Sequence, residues 1–509
     1  MNTKAPPRTI RQPSLADALI PLVTLAVLIG GSIALFGLAA LSGPIQTALV
    51  VCAMVAALIA LKNGHSWEAV QASGQRAMSS VTSAVFILLA VGALIGTWNM
   101  SGTIPTLVYL GIQMLEPTWF YAATALICGA IAMIIGSSWT TASTIGAGLV
   151  GIGALLGVSP AITAGAVISG AYLGDKLSPL SETTILTAQL VQVSVSEHIK
   201  RQAWTSVPAF LISLVLFAVL GLGFGPEVVD EISTEVELGK LTQLFHITLW
   251  NLVPLVLLMV LSFRKVPPSL ALMAAALTAG VTGAIFQPEV LLNFVDEPGG
   301  ALLTAIKATW LAMSNGFHIN SGVAEIDQLL SRGGMSSMLP TLWIIFGAVT
   351  FGTLLDEFGL IMRLINPLLY AAKTTGRLFA TVLGCSLGLN IVAGDQYIAL
   401  VLPARVFRAE FAKRGLAPTN LSRLAADGVT VTSPLVPWNS CGAFMAAALG
   451  VPTLLYLPFT FFCILSPLLS VLYGVTGFKI EHIEPHVIEP EVDLPPAAPS
   501  PEVSPKTEV

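Results

Sequence analysis

The sequence predicts an all-α polytopic membrane protein with about 10–13 membrane segments, arranged as two inverted repeats with broken helices or re-entrant hairpins. Of its 509 residues, 55% are hydrophobic and only 10% are charged, whereas a soluble domain carries about 25% charged residues. Apolar runs at 18–37, 205–225 and 453–475 are each about 20 residues long, enough to cross about 30 Å of hydrocarbon as a helix. Polar interruptions that recur in both halves of the chain predict the repeat and the broken helices.

Lysine and arginine positions predict the topology. Basic residues flank the first runs and recur between later ones, at Lys4, Arg8, Arg11, Lys62, Arg76, Lys200, Arg201, Arg264 and Lys265. The positive-inside rule places these positions in the cytoplasm. We therefore expect a multi-pass protein of the plasma (inner) membrane, with both termini cytoplasmic and no cleavable signal peptide.

Five segments follow from these patterns. They are a cytoplasmic N-terminal segment (1–14), a first transmembrane repeat (15–225), an acidic external connecting loop (226–246), a second transmembrane repeat (247–478), and a disordered acidic, Pro-rich C-terminal tail (479–509). The tail is predicted to be disordered because it is rich in Pro and Glu.

The two halves of the chain share short motifs in the same order and at a nearly constant offset. Met78-Ser79-Ser80 is matched by Met335-Ser336-Ser337, and Ser178-Pro179-Leu180 by Ser433-Pro434-Leu435. Each single match is weak, because Gly, Ser and Ala are common in membrane helices. Their common order and offset of about half the chain predict an inverted repeat.

Ionisable residues within apolar segments default to a functional hypothesis, and the first cluster spans 174–184. It contains the carboxylates Asp175 and Glu182, beside Lys176 and a break at Pro179. Proline removes a backbone donor and clashes with the preceding turn, and such breaks are tolerated at membrane depth only around a cavity or inside protein. The hydroxyls expected to support the site here are Ser178, Ser181 and Thr183. The structural alternative is an Asp175–Lys176 ion pair that only stabilises the bend.

The second cluster, 427–442, contains Asp427 and two further prolines. Its supporting polar residues are Thr432, Ser433, Asn439 and Ser440. Each half also has an earlier interruption, one with Ser138 and Thr140 and the other with Asp395. We expect the four interruptions to converge at the midplane. For most single hydroxyls, bonding to backbone carbonyls is the alternative role, and Asp427 has a structural alternative beside Arg423.

Carboxylates and hydroxyls are hard oxygen ligands of the kind that Na+ prefers. The sequence therefore predicts Na+ at Asp175, Glu182 and Asp395, with Asp427 as a fourth cation- or proton-binding residue. Competition of Na+ and protons for the same carboxylates would produce exchange. No cofactor is expected beyond the transported ions, and no nucleic-acid partner is expected. The expected partners are Na+, H+ and the lipid bilayer, and a homodimer is compatible with the sequence. No ATP-binding loop or catalytic constellation is evident, so we do not expect an enzyme.

These strings resemble the NhaC family of Na+/H+ antiporters. The resemblance rests on 174–184, on Gly394-Asp395-Gln396-Tyr397 and on 430–439, and with the connecting spans it covers most of residues 15–478. It implies a fold of inverted repeats with re-entrant hairpins and unwound helices. This chain departs from the family where Ala426 precedes Asp427, since members tend to carry an acidic pair there, and at Glu182, where Asp is common.

The alternative function is a Na+/H+-coupled organic-acid exchanger of the malate/lactate type, because some members of the wider group are thought to exchange such acids. An anionic substrate favours a cation in the site, and Lys176 is the one obvious candidate. An ion channel is a weaker alternative, since inverted repeats with broken helices favour alternating access. A membrane enzyme is the weakest.

Overall fold

The computed structural model describes residues 10–223, 231–296 and 299–485, and in these ranges it is a bundle of helices without a β-sheet. The N-terminal residues 1–9 and most of the predicted tail, 486–509, lie outside the described residues. Because a membrane interior leaves backbone groups no water to bond, helices are the expected solution.

The described residues of the first half of the chain form eleven α-helices. They are α1 (Leu15–Phe36), α2 (Pro44–Lys62), α3 (Trp67–Ser80), α4 (Thr82–Met100), α5 (Thr103–Met114), α6 (Phe120–Ile135), α7 (Ser138–Thr141), α8 (Ala147–Leu155), α9 (Pro160–Leu177), α10 (Glu182–Leu190) and α11 (Val195–Gly223). A π-helical turn at Ala142–Gly146 joins α7 to α8.

The second half begins after a connecting helix, α12 (Glu231–Leu244). Its helices are α13 (Val253–Phe263), α14 (Pro268–Phe286), α15 (Pro288–Phe294), α16 (Ala301–Asn315), α17 (Ala324–Leu330), α18 (Leu339–Glu357), α19 (Leu360–Ala371), α20 (Thr375–Ala393), α21 (Gln396–Lys413), α22 (Pro418–Ala425), α23 (Ser440–Leu449), α24 (Thr453–Tyr456) and α25 (Phe461–Thr476). A π-helical turn at Ala426–Thr430 extends α22.

Within the described ranges, eight helical segments are long and apolar enough to cross a membrane, and up to ten if each of two bent helix pairs counts as one span. One bent pair is 440–449 with 453–459, which meet at 90°. The apolar run predicted at 453–475 is therefore divided, because Pro458 and Thr460 interrupt it before α25 begins.

The predicted repeat is visible helix by helix. The first residues of α4, α5, α10 and α11 lie at positions 82, 103, 182 and 195, and those of α18, α19, α23 and α24 at 339, 360, 440 and 453. Each of these four second-half helices thus begins 257 or 258 residues after its counterpart. A common offset over so many elements is the pattern expected of two copies of one unit.

Two side-chain contacts show that the copies are inverted. The Arg76 guanidinium, just before α4 begins, pairs with the Glu357 carboxylate at the end of α18 at 2.5 Å. At the opposite face, the Gln46 amide at the start of α2 donates to the carbonyl of Pro340 at the start of α18. Helix α18 therefore runs in the direction opposite to α4.

Small residues allow the helices that carry the site to pack closely. Helix α9 lies against α6, and a Cβ added at Gly170 would overlap the carbonyl oxygen of Ala125. Glycine at such positions lets two helix backbones approach in a membrane. This contact fixes the end of α9, and with it Asp175, relative to the break that follows α6.

Two described segments differ from the sequence prediction. The connecting loop predicted at 226–246 contains helix α12, while residues 224–230 lie outside the described part. Residues 479–485, predicted to begin the disordered tail, instead pair with the turn after α21. There the amide of Ala417 donates to the Glu481 carbonyl at 3.0 Å, and the amide of Ile483 donates to the Gly415 carbonyl at 2.9 Å.

Candidate cation-binding site

A cavity of about 700 Å³ lies where four helices begin. The first residues of α7, α10, α21 and α23 all contribute to its wall, and these are the ends of the four interruptions predicted from the sequence. The structure thus brings all four interruptions together, two from each half of the chain. We refer to this space as the carboxylate cavity.

The first pair of interruptions has the same local cause in both halves. Helices α6 and α20 each end at a glycine with a positive φ, Gly136 at 79° and Gly394 at 63°, a conformation that other residues rarely adopt. The next residue then caps the following helix: the Ser137 hydroxyl accepts the amide of Thr140, and the Asp395 carboxylate accepts the amides of Tyr397 and Ile398.

The second pair of interruptions is also built from N-caps. The Ser181 hydroxyl accepts the amide of Thr184 at the start of α10, and the Asn439 side chain accepts the amide of Cys441 at the start of α23. Before the first of these, α9 ends at Leu177, and Pro179 lies in the four-residue gap. Serine and asparagine are favoured at N-caps because their oxygens satisfy otherwise unpaired amides.

Asp175 is part of the cavity wall and is buried in the last turn of α9. Its carboxylate accepts hydrogen bonds from Ser138 at 2.8 Å, from Ser181 at 2.5 Å and from Thr183 at 3.4 Å. Three of the predicted supporting residues therefore contact it directly. They orient an acidic group that the surrounding apolar helices would otherwise leave unsolvated.

Asp395 is likewise buried, and it contributes from the second half of the chain. In addition to its two backbone amides, at 2.9 and 3.1 Å, it accepts the Ser440 hydroxyl at 3.2 Å. Glu182 is exposed in the cavity wall and accepts the hydroxyl of Tyr397 at 3.0 Å.

The two buried carboxylates are not repeat equivalents. In the register that matches Ser178 with Ser433, the counterpart of Asp175 is Thr430, and at the offset of 258 shared by α7 and α21 the counterpart of Asp395 is Ser137. Each half therefore presents one buried carboxylate and one hydroxyl at the paired positions. The site is approximately symmetric in backbone and asymmetric in charge.

The chemistry of the cavity is that of hard oxygen donors. Carboxylates and hydroxyls from four helix starts lie around one space, as a hard cation requires. Among the described residues, however, no group of three acidic, histidine or cysteine side chains lies close enough to hold one metal ion together. In this conformation the three carboxylates line one cavity without forming a single three-carboxylate cage.

The other predicted supporting hydroxyls have local partners. The Thr140 hydroxyl donates to that of Ser137, and the Ser178 hydroxyl accepts the amide of Leu180. The Thr432 hydroxyl donates to the Gly428 carbonyl, and that of Ser433 donates to the Gln396 side chain at 2.8 Å. Of these four, only Thr140 is in the cavity wall.

Asp427 lies away from the carboxylate cavity, and its partner is Lys176. The two side chains form an ion pair with 0% exposure, and the Lys176 ammonium also donates to Ser466 at 2.9 Å. The Asp427 carboxylate further accepts the hydroxyls of Thr205, Ser466 and Ser470. Lys176 thus pairs with Asp427 across the repeats and not with its neighbour Asp175.

Sequence reasoning did not single out three residues of the cavity wall as functional, namely Gln396, Tyr397 and Lys265. The Gln396 side chain accepts both Ser433 and the thiol of Cys441, so it connects the two second-half interruptions. Tyr397 joins Glu182 to α21. Two of these residues directly follow Asp395 in the sequence, and this proximity to a predicted site residue could have identified them.

The cavity opens toward the face where α4 begins. Its wall includes Ser80 and Val81 before that helix and Lys265 to Pro268 between α13 and α14. The end of α2 lies at the same face, because the ring of His65 just after it contacts that of Phe358, whose neighbour Glu357 pairs with Arg76 before α4. The start of α1 is there too, since Asp17 pairs with Lys62 at 2.7 Å. The site is therefore accessible from one face of the bundle.

Comparisons with known proteins agree on one family. The model of the Na+/H+ antiporter family matches residues 7–202 and 170–478. The Na(+)/H(+) antiporter NhaC of Alkalihalophilus pseudofirmus is 35% identical over 433 residues, which cover 85% of this chain and 90% of the relative.

Relatives with other named substrates also match. The malate-2H(+)/Na(+)-lactate antiporter of Bacillus subtilis is 34% identical over 95% of this chain and 99% of the relative. The arginine/ornithine antiporter ArcD of Halobacterium salinarum is 34% identical over 93% and 94%.

Proposed function

The chain belongs to the Na+/H+ antiporter family, and we propose that it exchanges Na+ for H+ across a membrane by alternating access. The ions bind at the carboxylate cavity, and no cofactor takes part. The observation that supports this proposal most strongly is the meeting of Asp175, Glu182 and Asp395 in one cavity at broken helices from both repeats.

The charge of the cavity wall favours a cation. Among the described residues, it includes three acidic side chains and one basic side chain, Lys265. Lys265 belongs to the segment between α13 and α14, near the opening, whereas Asp175 and Asp395 are buried. A small hydrated cation entering from the open face thus passes Glu182 before it reaches the two buried carboxylates.

Exchange then follows from competition. A carboxylate that has bound a proton is neutral and offers a poor site for Na+, whereas an ionised carboxylate attracts it. Na+ therefore binds as protons leave, and protons rebind as Na+ leaves. If the cavity changes face only when its carboxylates are neutralised by one ion or the other, transport of Na+ in one direction drives H+ in the other.

The orientation follows from the positive-inside rule. Lys62, Arg76 and Lys265 all belong to the face at which the cavity opens. We assign this face to the cytoplasm of a plasma (inner) membrane, with the N-terminus, and by the same topology the C-terminus, on that side. The conformation described is then the inward-open state, which receives Na+ from the cytoplasm.

The organic-acid alternative relied on Lys176 as the cation for an anionic substrate. That side chain is fully buried against Asp427 and does not contribute to the cavity wall. Because the chain is 34% identical to a malate/lactate antiporter, malate is included in the test of organic-acid exchange below. The carboxylate cavity itself favours Na+.

The test uses purified protein in liposomes that contain a pH-sensitive dye. Na+, Li+, K+ and malate are added outside in turn, and proton movement is recorded. We expect Na+ to move protons, and we expect Asp175→Asn and Asp395→Asn each to abolish this movement while the protein stays folded. The matched control is Glu410→Gln, since Asp395 caps the start of α21 and Glu410 lies near the end of the same helix, paired with Arg414.

Proton movement with malate and none with any cation would replace the proposed function by organic-acid exchange. Normal Na+-driven movement in either Asn variant would remove that carboxylate from the site. Loss of movement in Glu410→Gln as well would mean that the assay reports damage to α21 and not the chemistry of the cavity.

A further inference from the structure

A second cavity, of about 580 Å³, lies near the opposite face of the bundle. Its wall includes Leu38 and Ser42 at the end of α1, whereas the carboxylate cavity opens at the face where α1 begins. Its wall also includes the last turns of α23, at Ala446, Ala447 and Gly450. We refer to it as the arginine cavity, because Arg332 is its one permanently charged wall residue in the described part of the chain.

The two cavities approach each other from opposite faces. Along α23, Cys441 contributes to the carboxylate cavity and Ala446 to the arginine cavity, a separation of roughly 7.5 Å. Along α4, Ile87 and Ile95 are about 12 Å apart and contribute to the same two cavities. A thin barrier, which includes α23, therefore separates them.

Arg332 is partly buried and belongs to a loop that packs against α4. The segment 331–338 joins α17 to α18, and within it the amide of Gly334 donates to the carbonyl of Gly92 in the middle of α4 at 2.7 Å. Gly333 and Gly334 both have positive φ, at 91° and 85°, and a Cβ at Gly333 would overlap the backbone of Gly96. Only glycine permits a loop to approach a helix backbone this closely.

The Arg332 guanidinium has no compensating acidic group. Neither a hydrogen bond nor an ion pair joins its side chain to any residue in the described ranges, and the wall of the cavity contains no acidic side chain from those ranges. Its end lies against Gly450, where a Cβ would overlap the guanidinium nitrogens. Gly450 follows the last residue of α23, so the helix C-terminus favours the positive charge there, while the partly exposed guanidinium keeps donors available to a ligand in the cavity.

The remaining wall chemistry indicates what the arginine would bind. The wall also contains the side chains of Ser331, Ser336, Ser337, Asn315 and His318, and Leu38, Leu41, Ile95 and Met338 supply its apolar part. The Ser331 and Ser337 hydroxyls donate to the carbonyls of Ile319 and Gly334, so among the described residues the Ser336 hydroxyl is the one of the three left without a partner. The planar guanidinium presents a fork of donors that matches a carboxylate in two parallel hydrogen bonds. The volume exceeds what a single halide ion fills.

We propose that the arginine cavity is a binding site for a small organic carboxylate, held by the guanidinium of Arg332 and the hydroxyl of Ser336. The site is separate from the carboxylate cavity, and its existence does not depend on the exchange of Na+ for H+. It gives the chain an anion site at one end of α23 and a cation site at the other.

The test is saturable binding of radiolabelled malate to the purified full-length chain in detergent, at fixed ionic strength. We expect malate to bind, unlabelled lactate to compete, and chloride at the same concentration not to compete. Arg332→Gln should weaken malate binding by about tenfold or more, because a charge-assisted bidentate contact is lost. The matched control is Arg377→Gln, an exposed arginine at the start of α20, which should bind as the unaltered chain does.

A second variant covers the case in which Arg332→Gln fails to fold. Ser336 is exposed to the cavity, so Ser336→Phe would fill it without altering the arginine loop, and we expect it to abolish malate binding. Saturating Na+ should leave malate binding in place, because Na+ occupies the other cavity. The proposal is overturned if malate does not bind saturably, if chloride displaces it equally well, or if Ser336→Phe binds it normally.

Discussion

The ion pair between Lys176 and Asp427 permits a quantitative prediction about stability. Both side chains have 0% exposure, and removing one partner of such a pair leaves an uncompensated buried charge, at a cost of about 3–5 kcal/mol. The two removals are not equivalent. Without Lys176, the Asp427 carboxylate still accepts three hydroxyls. In Asp427→Asn, the Lys176 ammonium is left, among the described residues, with the Ser466 hydroxyl and the amide oxygen of the new asparagine as acceptors.

We therefore expect Asp427→Asn to destabilise the protein more than Lys176→Met, by roughly the 1.5 kcal/mol of one hydrogen bond to a charged group. The double variant should cost less than the sum of the two, with a coupling of about 2 kcal/mol or more. Equilibrium unfolding in mixed micelles with increasing sodium dodecyl sulfate measures these free energies. The control cycle is Arg76→Ala with Glu357→Ala, a partly exposed pair whose coupling should be below about 1 kcal/mol.

A coupling between Lys176 and Asp427 as small as that of the control pair would refute the reasoning. It would mean that water reaches the ion pair between the repeats and screens it.

Two smaller changes test the packing and the geometry of the site. Gly170→Ala should lower the free energy of unfolding by roughly 1–3 kcal/mol, because the added Cβ would overlap the Ala125 carbonyl. Gly31→Ala is the control, since a Cβ added at Gly31 has no atom within 4 Å. Equal thermal midpoints of unfolding for the two variants would contradict the prediction. Ser138→Ala removes a 2.8 Å donor to Asp175, so the half-saturating Na+ concentration in liposomes should change several-fold, by about 1 kcal/mol in binding free energy. An unchanged value would show that this hydroxyl does not position the carboxylate.

The breaks in the membrane helices could be predicted from the sequence because their causes are local. Proline at 179, and Gly394 followed by a capping Asp395, interrupt a helix whatever surrounds them. Repetition of such signals in both halves also predicted the inverted repeat. The prediction that four interruptions meet is confirmed, because each is a helix start that reaches the same cavity.

Contacts between the halves could not be predicted in the same way. Adjacency in sequence suggested Asp175 as the partner of Lys176, yet neighbouring residues on a helix point about 100° apart. One side chain therefore faces the cavity and the other faces Asp427. Arg332 was overlooked because a Ser-Arg-Gly-Gly segment is typical of a surface loop, and only the tertiary contact with Gly92 places it within the bundle.

The measurement that tests the central claim most directly is the release of protons when Na+ binds. Purified protein in weakly buffered detergent solution is titrated with NaCl near neutral pH, with choline chloride as the control, and the pH change is recorded. Competition at Asp175 and Asp395 predicts proton release that saturates with Na+, is absent with choline, and is lost in Asp175→Asn and Asp395→Asn. Saturable Na+ binding without proton release at any pH between 6 and 9 would contradict the account, because the two ions would then occupy different sites.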